Sequence, residues 1–170
     1  AMHKHLGNVI SPQEVVDQIG ADVLRLWVAS SEYFDDVRCG EEILDRVVEA
    51  YRKIRNTLRF LLANTSDFNY EKDRVSDSDF NYIDRYMMSR LQKLISEVKT
   101  YYENFEFHRV YHLIYNFCVV DLSSMYLDIL KDRLYTWAKN SKGRRAAQTV
   151  CYEMLEALLL MLAPILSFTV

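Results

Sequence analysis

The chain has few residues of the kinds that turn or cross-link a backbone. Its 170 residues include four glycines and two prolines, and this scarcity of turn residues excludes an all-β fold. Three cysteines occur, far apart, without a Cys-x-x-Cys motif or histidines at zinc spacing. That pattern excludes a zinc finger and a framework of several disulfides. We expect reduced thiols in a cytoplasmic protein, and a single disulfide is the alternative.

An uninterrupted apolar run long enough to span a bilayer is also absent. Such a span needs roughly 18 to 20 residues, and the run from residue 155 to 166 is broken by Glu156 and Pro164. The chain does not open with a charged-then-apolar leader. We therefore expect no membrane partner and a cytoplasmic location. With 50% hydrophobic and 26% charged residues, the composition is that of one globular unit.

Helical periodicity dominates what remains. Apolar residues recur at intervals of three and four, which is the spacing of one buried helix face. Four long segments have this pattern: 41–61, 83–98, 107–130 and 144–164. Polar stretches at 64–79 and 137–143 separate them. The pattern predicts an all-α, up-and-down helical bundle, preceded by short helices.

Local motifs predict where some helices begin and end. Ser11, Pro12 and Glu14 have the spacing of a capping box with proline in the first turn. Gly20 is predicted to end that short helix, and Ser78 to cap the second long helix.

Charge is unevenly distributed along the chain. Residues 51–64 carry four bases and no acid, and residues 131–145 carry six bases against one acid. Residues 64–84 carry six acids and two bases. Although the net charge is −3, two basic islands of this kind can steer a polyanion to one face.

The two basic islands are candidate RNA contacts. Arg52, Asn56 and Arg59 share one helix face, and these residue types contact phosphates and base edges. In the second island Tyr135 and Trp137 alternate with the charges, as stacking groups do in single-stranded RNA sites. The alternative is that both islands are solvated surface charge, which is common for lysine and arginine.

His108 and His112 lie at the i, i+4 spacing of metal ligands. Their sequence neighbours Arg109, Tyr111 and Tyr115 offer no carboxylate, so we expect packed histidines and no metal site. The surrounding aromatic residues, from Tyr101 to Tyr115, are likewise expected to pack between helices.

Four strings resemble class I aminoacyl-tRNA synthetases, most closely the isoleucyl branch. They are KHLGNVI (4–10), GADVLRLWVASS (20–31), YRKIRNTLRFLL (51–62) and FHRVYH (107–112). Asp121–Ser123, Tyr126–Tyr135, Arg144–Val150 and Leu162–Ile165 add to the resemblance. Together these strings span nearly the whole chain, and the third is the most specific.

The resemblance implies a division into two parts. Residues 1–40 would hold the end of the catalytic-core signature loop and connecting helices, and residues 41–170 an anticodon-binding helical bundle. Lys4 matches the second lysine of the family's Lys-Met-Ser-Lys-Ser loop, which implies an ATP contact. Ala1, His3 and His5 depart from that motif.

The implied partners are a tRNA for isoleucine and the enzyme's own catalytic domain in cis, within a monomer. The parent enzyme would attach isoleucine to tRNA using ATP and magnesium. The tRNA-binding residues predicted on this basis are Arg52, Arg55, Asn56, Arg59, Arg133, Lys139, Lys142, Arg144 and Arg145.

The family's His-Ile-Gly-His signature and its editing domain have no counterpart in these residues. We therefore expect an excised domain that is inactive alone, with no catalytic residue and no cofactor of its own. The alternatives are a helical module that only supports a synthetase catalytic domain, or the same domain of a valyl or leucyl relative.

Overall fold

The computed structural model describes residue 5, residues 9–34 and residues 36–170. That part of the chain is helical and contains no strand, which confirms the predicted all-α class. The helices are α1 (Pro12–Ile19), α2 (Ala21–Ser30), α3 (Glu41–Asn64), α4 (Tyr70–Asp73), α5 (Tyr82–Glu103), α6 (Phe107–Tyr135) and α7 (Lys142–Leu162).

The four long helices form the bundle. Helix α3 packs against α6 and α7, and α5 packs against the same two helices from the other side. Their buried faces supply a continuous core whose largest fully buried side chains include Ile54, Leu91, Tyr126 and Leu158. The 3.6-residue periodicity of apolar residues in the sequence therefore arises because these residues form the core.

Helix α6 is regular at its two ends and π-helical over Phe117–Tyr126. Its length and mean hydropathy would allow it to cross a membrane, and it is the one helix among the described residues that meets this test. Core helices of globular bundles meet the same test. Here Ile114, Cys118 and Leu122 of α6 are completely buried in the bundle core, which accounts for the apolar composition.

Helix α2 is tied to the segment that follows α7. The Arg25 guanidinium donates to the backbone carbonyls of Ile165 and Pro164 at 2.8 and 2.6 Å. The buried Asp22 carboxylate accepts from the Phe168 amide at 3.2 Å and from the Thr169 hydroxyl at 2.5 Å. The helical preface is thereby fixed to the bundle rather than attached only through its linker.

Two predicted caps are wrong in detail. The Ser11 side chain makes no capping hydrogen bond. Helix α5 is capped by Asn81, whose side chain accepts from the Asp84 amide, while Ser78 lies in a preceding 3₁₀ turn. Gly20 ends α1 as predicted, with φ of 89°, a conformation that costs glycine no steric energy.

Candidate nucleic-acid interface

The first basic island forms an exposed row on α3. Arg52, Arg55, Asn56 and Arg59 are all exposed to solvent, because the buried face of α3 is taken by residues such as Ile54 and Leu58. We call these four residues the α3 row. Its side chains point away from the core and are accessible to a large ligand.

Most charges of the α3 row have no internal partner. Arg52 pairs with Glu49 at 2.6 Å, but both side chains are at least 60% exposed, and such pairs contribute little. Within the described chain, neither Arg55 nor Arg59 makes an ion pair or side-chain hydrogen bond. Since no neighbouring carboxylate neutralises them, their positive charge is directed to solvent.

The second basic island is arranged differently, because the acidic segment 64–84 packs against it. Five ion pairs join the two regions: Asp84 with Arg133, Asp67 with Arg144, Asp67 with Arg145, Asp73 with Arg145, and Asp79 with Lys142. The two stretches with the largest opposite charge imbalance in the sequence therefore neutralise each other.

Arg133 is held inside the bundle. Its guanidinium donates two hydrogen bonds of 2.8 Å to the Asp84 carboxylate and one of 2.7 Å to the Gly143 carbonyl. The Tyr126 hydroxyl also donates to Asp84, at 2.8 Å. Burial, together with the negative Asp84, raises the pKa of Tyr126 well above its ordinary value. Arg133 thus links α6 to the start of α7 and presents no charge to a ligand.

Arg144 and Arg145 are also committed to internal contacts. Arg144 donates to both Asp67 oxygens, at 2.9 and 3.1 Å, and to the Leu134 carbonyl at 3.1 Å. Arg145 is buried and donates to Gln148 at 2.8 Å. The hydrogen bond from Arg144, with one from Gln148 and the charges of both arginines, lowers the pKa of Asp67 to about 2 despite some desolvation.

Lys139, in the α6–α7 loop, and Lys142, the first residue of α7, remain exposed. Lys142 lies 3.2 Å from Asp79 at the surface, and Lys139 has no side-chain partner among the described residues. The Trp137 ring, about half exposed, lies over the backbone of Gly143: a Cβ placed on that glycine would come within 2.1 Å of the ring. Tyr135 is also exposed.

The α6–α7 loop lies at the bundle end where α3 terminates. Asn64, the last residue of α3, accepts a hydrogen bond of 3.0 Å from Gln148 of α7, and Asp67 just beyond it binds Arg144. The C-terminal end of α3 is therefore connected to the first turns of α7, and Arg144 in turn donates to the Lys139 carbonyl in the loop.

A small notch separates α3 from the π-helical segment of α6. Its volume is about 220 Å³, and it mixes apolar walls with polar and charged groups. The lining residues are Asn56, Thr57, Phe60, Ser123, Leu127, Asp128 and Lys131. Of these, Asn56 alone was predicted as a site residue. The i, i+4 spacing of Asn56 and Phe60 is the signal that would have linked them.

His108 and His112 lie in different surroundings. The Nε2 atom of His108 lies 3.0 Å from the Glu32 carboxylate, in the segment after α2. This neighbour is not on the helix of His108 and was not predicted. His112 packs beside the Tyr111 ring. No three His, Cys, Asp or Glu side chains of the described residues converge as metal ligands. Lys4, predicted to contact ATP, lies outside the described residues, as do Ala1 and His3.

The cysteines are free thiols in the structure. Desolvation by burial raises the pKa of Cys118 and of Cys151 to about 12. Both side chains are therefore protonated at neutral pH and poor nucleophiles.

An all-α bundle with an exposed basic helix face has the electrostatic footprint of a helical module that binds nucleic acid. More specifically, the chain belongs to the anticodon-binding domain family of tRNA ligases. The family model described as "Anticodon-binding domain of tRNA ligase" matches residues 84–170, and the model "tRNA synthetases class I (I, L, M and V)" matches residues 1–40.

Similar proteins are isoleucine–tRNA ligases from bacteria. The chain is 58% identical to that of Moorella thermoacetica, 56% to that of Natranaerobius thermophilus and 51% to that of Thermotoga maritima, each over 168 residues. Each match covers 99% of this chain and 18% of the relative. The predicted resemblance to the isoleucyl branch is confirmed, and the chain spans less than a fifth of the relatives' length.

Proposed function

We propose that this chain binds the anticodon arm of a tRNA for isoleucine, as one part of a cytoplasmic, monomeric isoleucine–tRNA ligase. The α3 row carries the proposal, since its arginines are exposed in a chain of the anticodon-binding family and two of them, Arg55 and Arg59, have no internal partner. Arg52, Arg55 and Arg59 contact phosphates, Asn56 contacts a base, and Lys139 and Lys142 extend the positive surface at the bundle end. We assign Arg133, Arg144 and Arg145 the role of positioning the loop and do not include them among the proposed RNA contacts.

Titration of the 170-residue chain with tRNA for isoleucine and with a non-cognate tRNA, at several salt concentrations, tests this function. Each phosphate contact releases condensed counterions, so the observed affinity must fall steeply as salt rises. Tighter binding of the isoleucine tRNA at every salt concentration is the expected result. Binding that is absent at low salt, or that does not respond to salt, would contradict the proposal.

The whole enzyme would use ATP and magnesium to attach isoleucine to tRNA, with Lys4 contacting ATP. Among the described residues no carboxylate cluster fits a metal ion, and the nucleotide site would lie in the catalytic domain. The division of the chain at residue 40 is retained as part of the proposal: the preceding segment would lead from the catalytic domain in cis, and the bundle would begin at α3.

A second candidate function is mechanical support of the catalytic domain. It is favoured by the hydrogen bonds that Asp22 and Arg25 make with the segment after α7. These bonds fix part of segment 1–40, which matches the class I synthetase model, to the bundle. Charge reversal of Arg52 and Arg59 in the full-length enzyme separates the two functions. Unchanged tRNA affinity would favour support alone, and a large loss would favour RNA binding.

A further inference from the structure

An apolar cavity of about 500 Å³ lies at the end of the bundle opposite the α6–α7 loop. It is bordered by helix α2, by the corner between α5 and α6, and by the segment after α7. Its lining includes Leu24, Val28, Tyr102, Phe107, Pro164 and Ile165. The cavity opens to solvent, since Val28 is 58% exposed. A concave surface with such a lining binds apolar groups.

The few polar groups of the cavity are already bonded within the protein. Of the described residues that line it, Arg25 alone is charged, and its guanidinium donates to the Ile165 and Pro164 carbonyls. The Tyr102 hydroxyl donates to the Met161 carbonyl at 2.7 Å. The cavity therefore has little to offer a phosphate or the polar edge of a base, and an apolar protein surface fits it better.

Phe105, in the corner between α5 and α6, places an exposed aromatic ring beside this cavity. The residue is 64% exposed. Its ring meets that of Phe107 edge to face, with 6.0 Å between the centroids, and Phe107 lines the cavity. The Phe105 ring and the cavity together form one apolar surface, which we call the Phe105 patch. Exposed apolar patches of this kind mark interaction sites.

The backbone of Phe105 is strained. Its φ of 59° makes it the one non-glycine residue with positive φ in the described part of the chain, and a bulky side chain is disfavoured there where glycine is not. Three hydrogen bonds hold this conformation. The Phe105 amide donates to the Tyr102 carbonyl at 3.1 Å, the Glu106 amide to the Tyr101 carbonyl at 2.8 Å, and the Tyr33 hydroxyl to the Phe105 carbonyl at 2.9 Å.

This strain is not offset by burial, because most of the Phe105 ring lies in solvent. Glycine would make the same corner without steric cost. Strained residues of this kind cluster at functional sites, where the local cost is retained for a contact. We infer that the ring makes its contact with something outside the 170 residues.

The position of the cavity indicates what that contact is. Helix α2 lies in residues 1–40, which match the class I synthetase model, while the other walls lie in residues 84–170, which match the anticodon-binding model. The cavity therefore lies where these two parts meet. Since the matches cover only 18% of each relative, most of a synthetase lies outside this chain, and its catalytic part is the one to which α2 is joined.

We propose that the Phe105 patch is a docking site for an apolar surface of the parent's catalytic domain, with the Phe105 ring as its anchor. Aromatic side chains at the centre of an interface dominate its binding energy. The inference rests on the proposed function only in taking the parent to be a synthetase. It does not depend on RNA binding, whose proposed contacts lie on α3 and at the opposite end of the bundle.

The full-length parent enzyme with p-benzoylphenylalanine in place of Phe105 tests the occupant. Irradiation joins this side chain to the group that lies against it, and mass spectrometry of the digest identifies that group. We expect a cross-link to the catalytic domain in the absence of tRNA, so a failure of RNA binding does not affect the result. A cross-link to another part of the parent or to RNA, or no cross-link within the parent, would overturn the proposal.

Leu160 provides the matched control for this experiment. It is 72% exposed on α7 and does not line the cavity. The same photoreactive residue in place of Leu160 should give no cross-link to the catalytic domain. An equal yield from both positions would mean that the reaction does not report docking, and the proposal would then be wrong.

Phe105→Gly and Phe105→Ala separate an anchor from a residue that only shapes the corner. In the 170-residue chain, Phe105→Gly relieves the strain, so it should unfold at a temperature no lower than the wild type and above Phe105→Ala, which keeps the strain. In the full-length parent, both variants should speed hydrogen exchange across residues 102–107, because the docked surface is lost. Destabilisation of the 170-residue chain by Phe105→Gly, or unchanged exchange in the parent, would contradict the docking role.

Discussion

The two basic regions look alike in the sequence, but the structure places their arginines in different surroundings. The α3 row leaves its arginines in solvent, whereas Arg133, Arg144 and Arg145 lie against the carboxylates of Asp67, Asp73 and Asp84. The difference is in their neighbours: no carboxylate from another element lies against the α3 row, while the arginines of the second region are covered by an acidic connection. Positive charge in a sequence therefore indicates a ligand only where the fold supplies no internal partner.

The comparison is sharpest at Arg133. Replacing Arg133 with Met would leave the completely buried Asp84 carboxylate without its guanidinium partner. We expect a loss of about 3–5 kcal/mol in the free energy of unfolding, because an unpaired buried charge cannot regain its hydration. Urea unfolding followed by circular dichroism measures this loss. Lys131→Gln is the control, since its pair with Asp128 is exposed and should contribute less than about 1 kcal/mol.

Adding Asp84→Asn to Arg133→Met removes the stranded charge and should restore part of the stability. If the double variant were no more stable than Arg133→Met alone, the destabilisation would come from impaired packing, and the pair would not be an electrostatic link between the helices.

The pairing of Asp67 predicts a pH dependence. Its pKa in the folded chain is about 2, against an ordinary 3.8, so folding favours the ionised form. This contribution is complete above about pH 4 and disappears as the pH falls toward about 2. Asp67→Asn should therefore be less stable than the wild type at neutral pH, and the difference should shrink across that acid window.

Denaturant unfolding of both proteins from neutral pH to about pH 2 provides the measurement. Asp45→Asn, at an exposed position of α3, controls for the loss of one carboxylate. A stability difference that stayed constant across the whole range would show that Asp67 acts through hydrogen-bond geometry rather than through its charge.

A smaller effect is expected at Gly143. Its Cβ would overlap the Trp137 ring, so Gly143→Ala should displace the ring and change the tryptophan emission, with a cost on the order of 1 kcal/mol. Gly40→Ala is the matched control, because nothing lies within 4 Å of the added atom. Unchanged emission in Gly143→Ala would mean that the loop does not hold Trp137 in this position.

The α3 row should show the smallest effect on stability. Because Arg52 and Arg59 are exposed, Arg52→Gln/Arg59→Gln should change the free energy of unfolding by about 0.5 kcal/mol or less. The same variant should make the plot of log affinity for tRNA against log salt concentration less steep, with a slope smaller in magnitude by about 2. This is one unit for each phosphate that the protein no longer neutralises. Strong destabilisation with an unchanged salt dependence of binding would show that the α3 row stabilises the fold and does not contact RNA, contrary to the comparison.

Much of the fold could be predicted from the sequence, and the site only in part. The apolar periodicity from Ile43 to Leu61 predicted α3 because a helix must bury one face wherever it packs. The burial and ion pairing of Arg145 could not be predicted in this way, because its carboxylate partners, Asp67 and Asp73, are more than 70 residues away in the chain. For the same reason Glu32 beside His108 was missed, since only neighbours on the same helix were considered.

The sequence by itself determined the helical class, the approximate extent of the four long helices and membership of the tRNA ligase family. These depend on local periodicity and on strings of residues that can be recognised without coordinates. Tertiary structure decided which charges remain available: it paired the three arginines of the second basic island with carboxylates, exposed the α3 row and formed the notch beside Asn56. Coulomb pairing and burial depend on distances between residues remote in sequence, and only packing of the helices sets those distances.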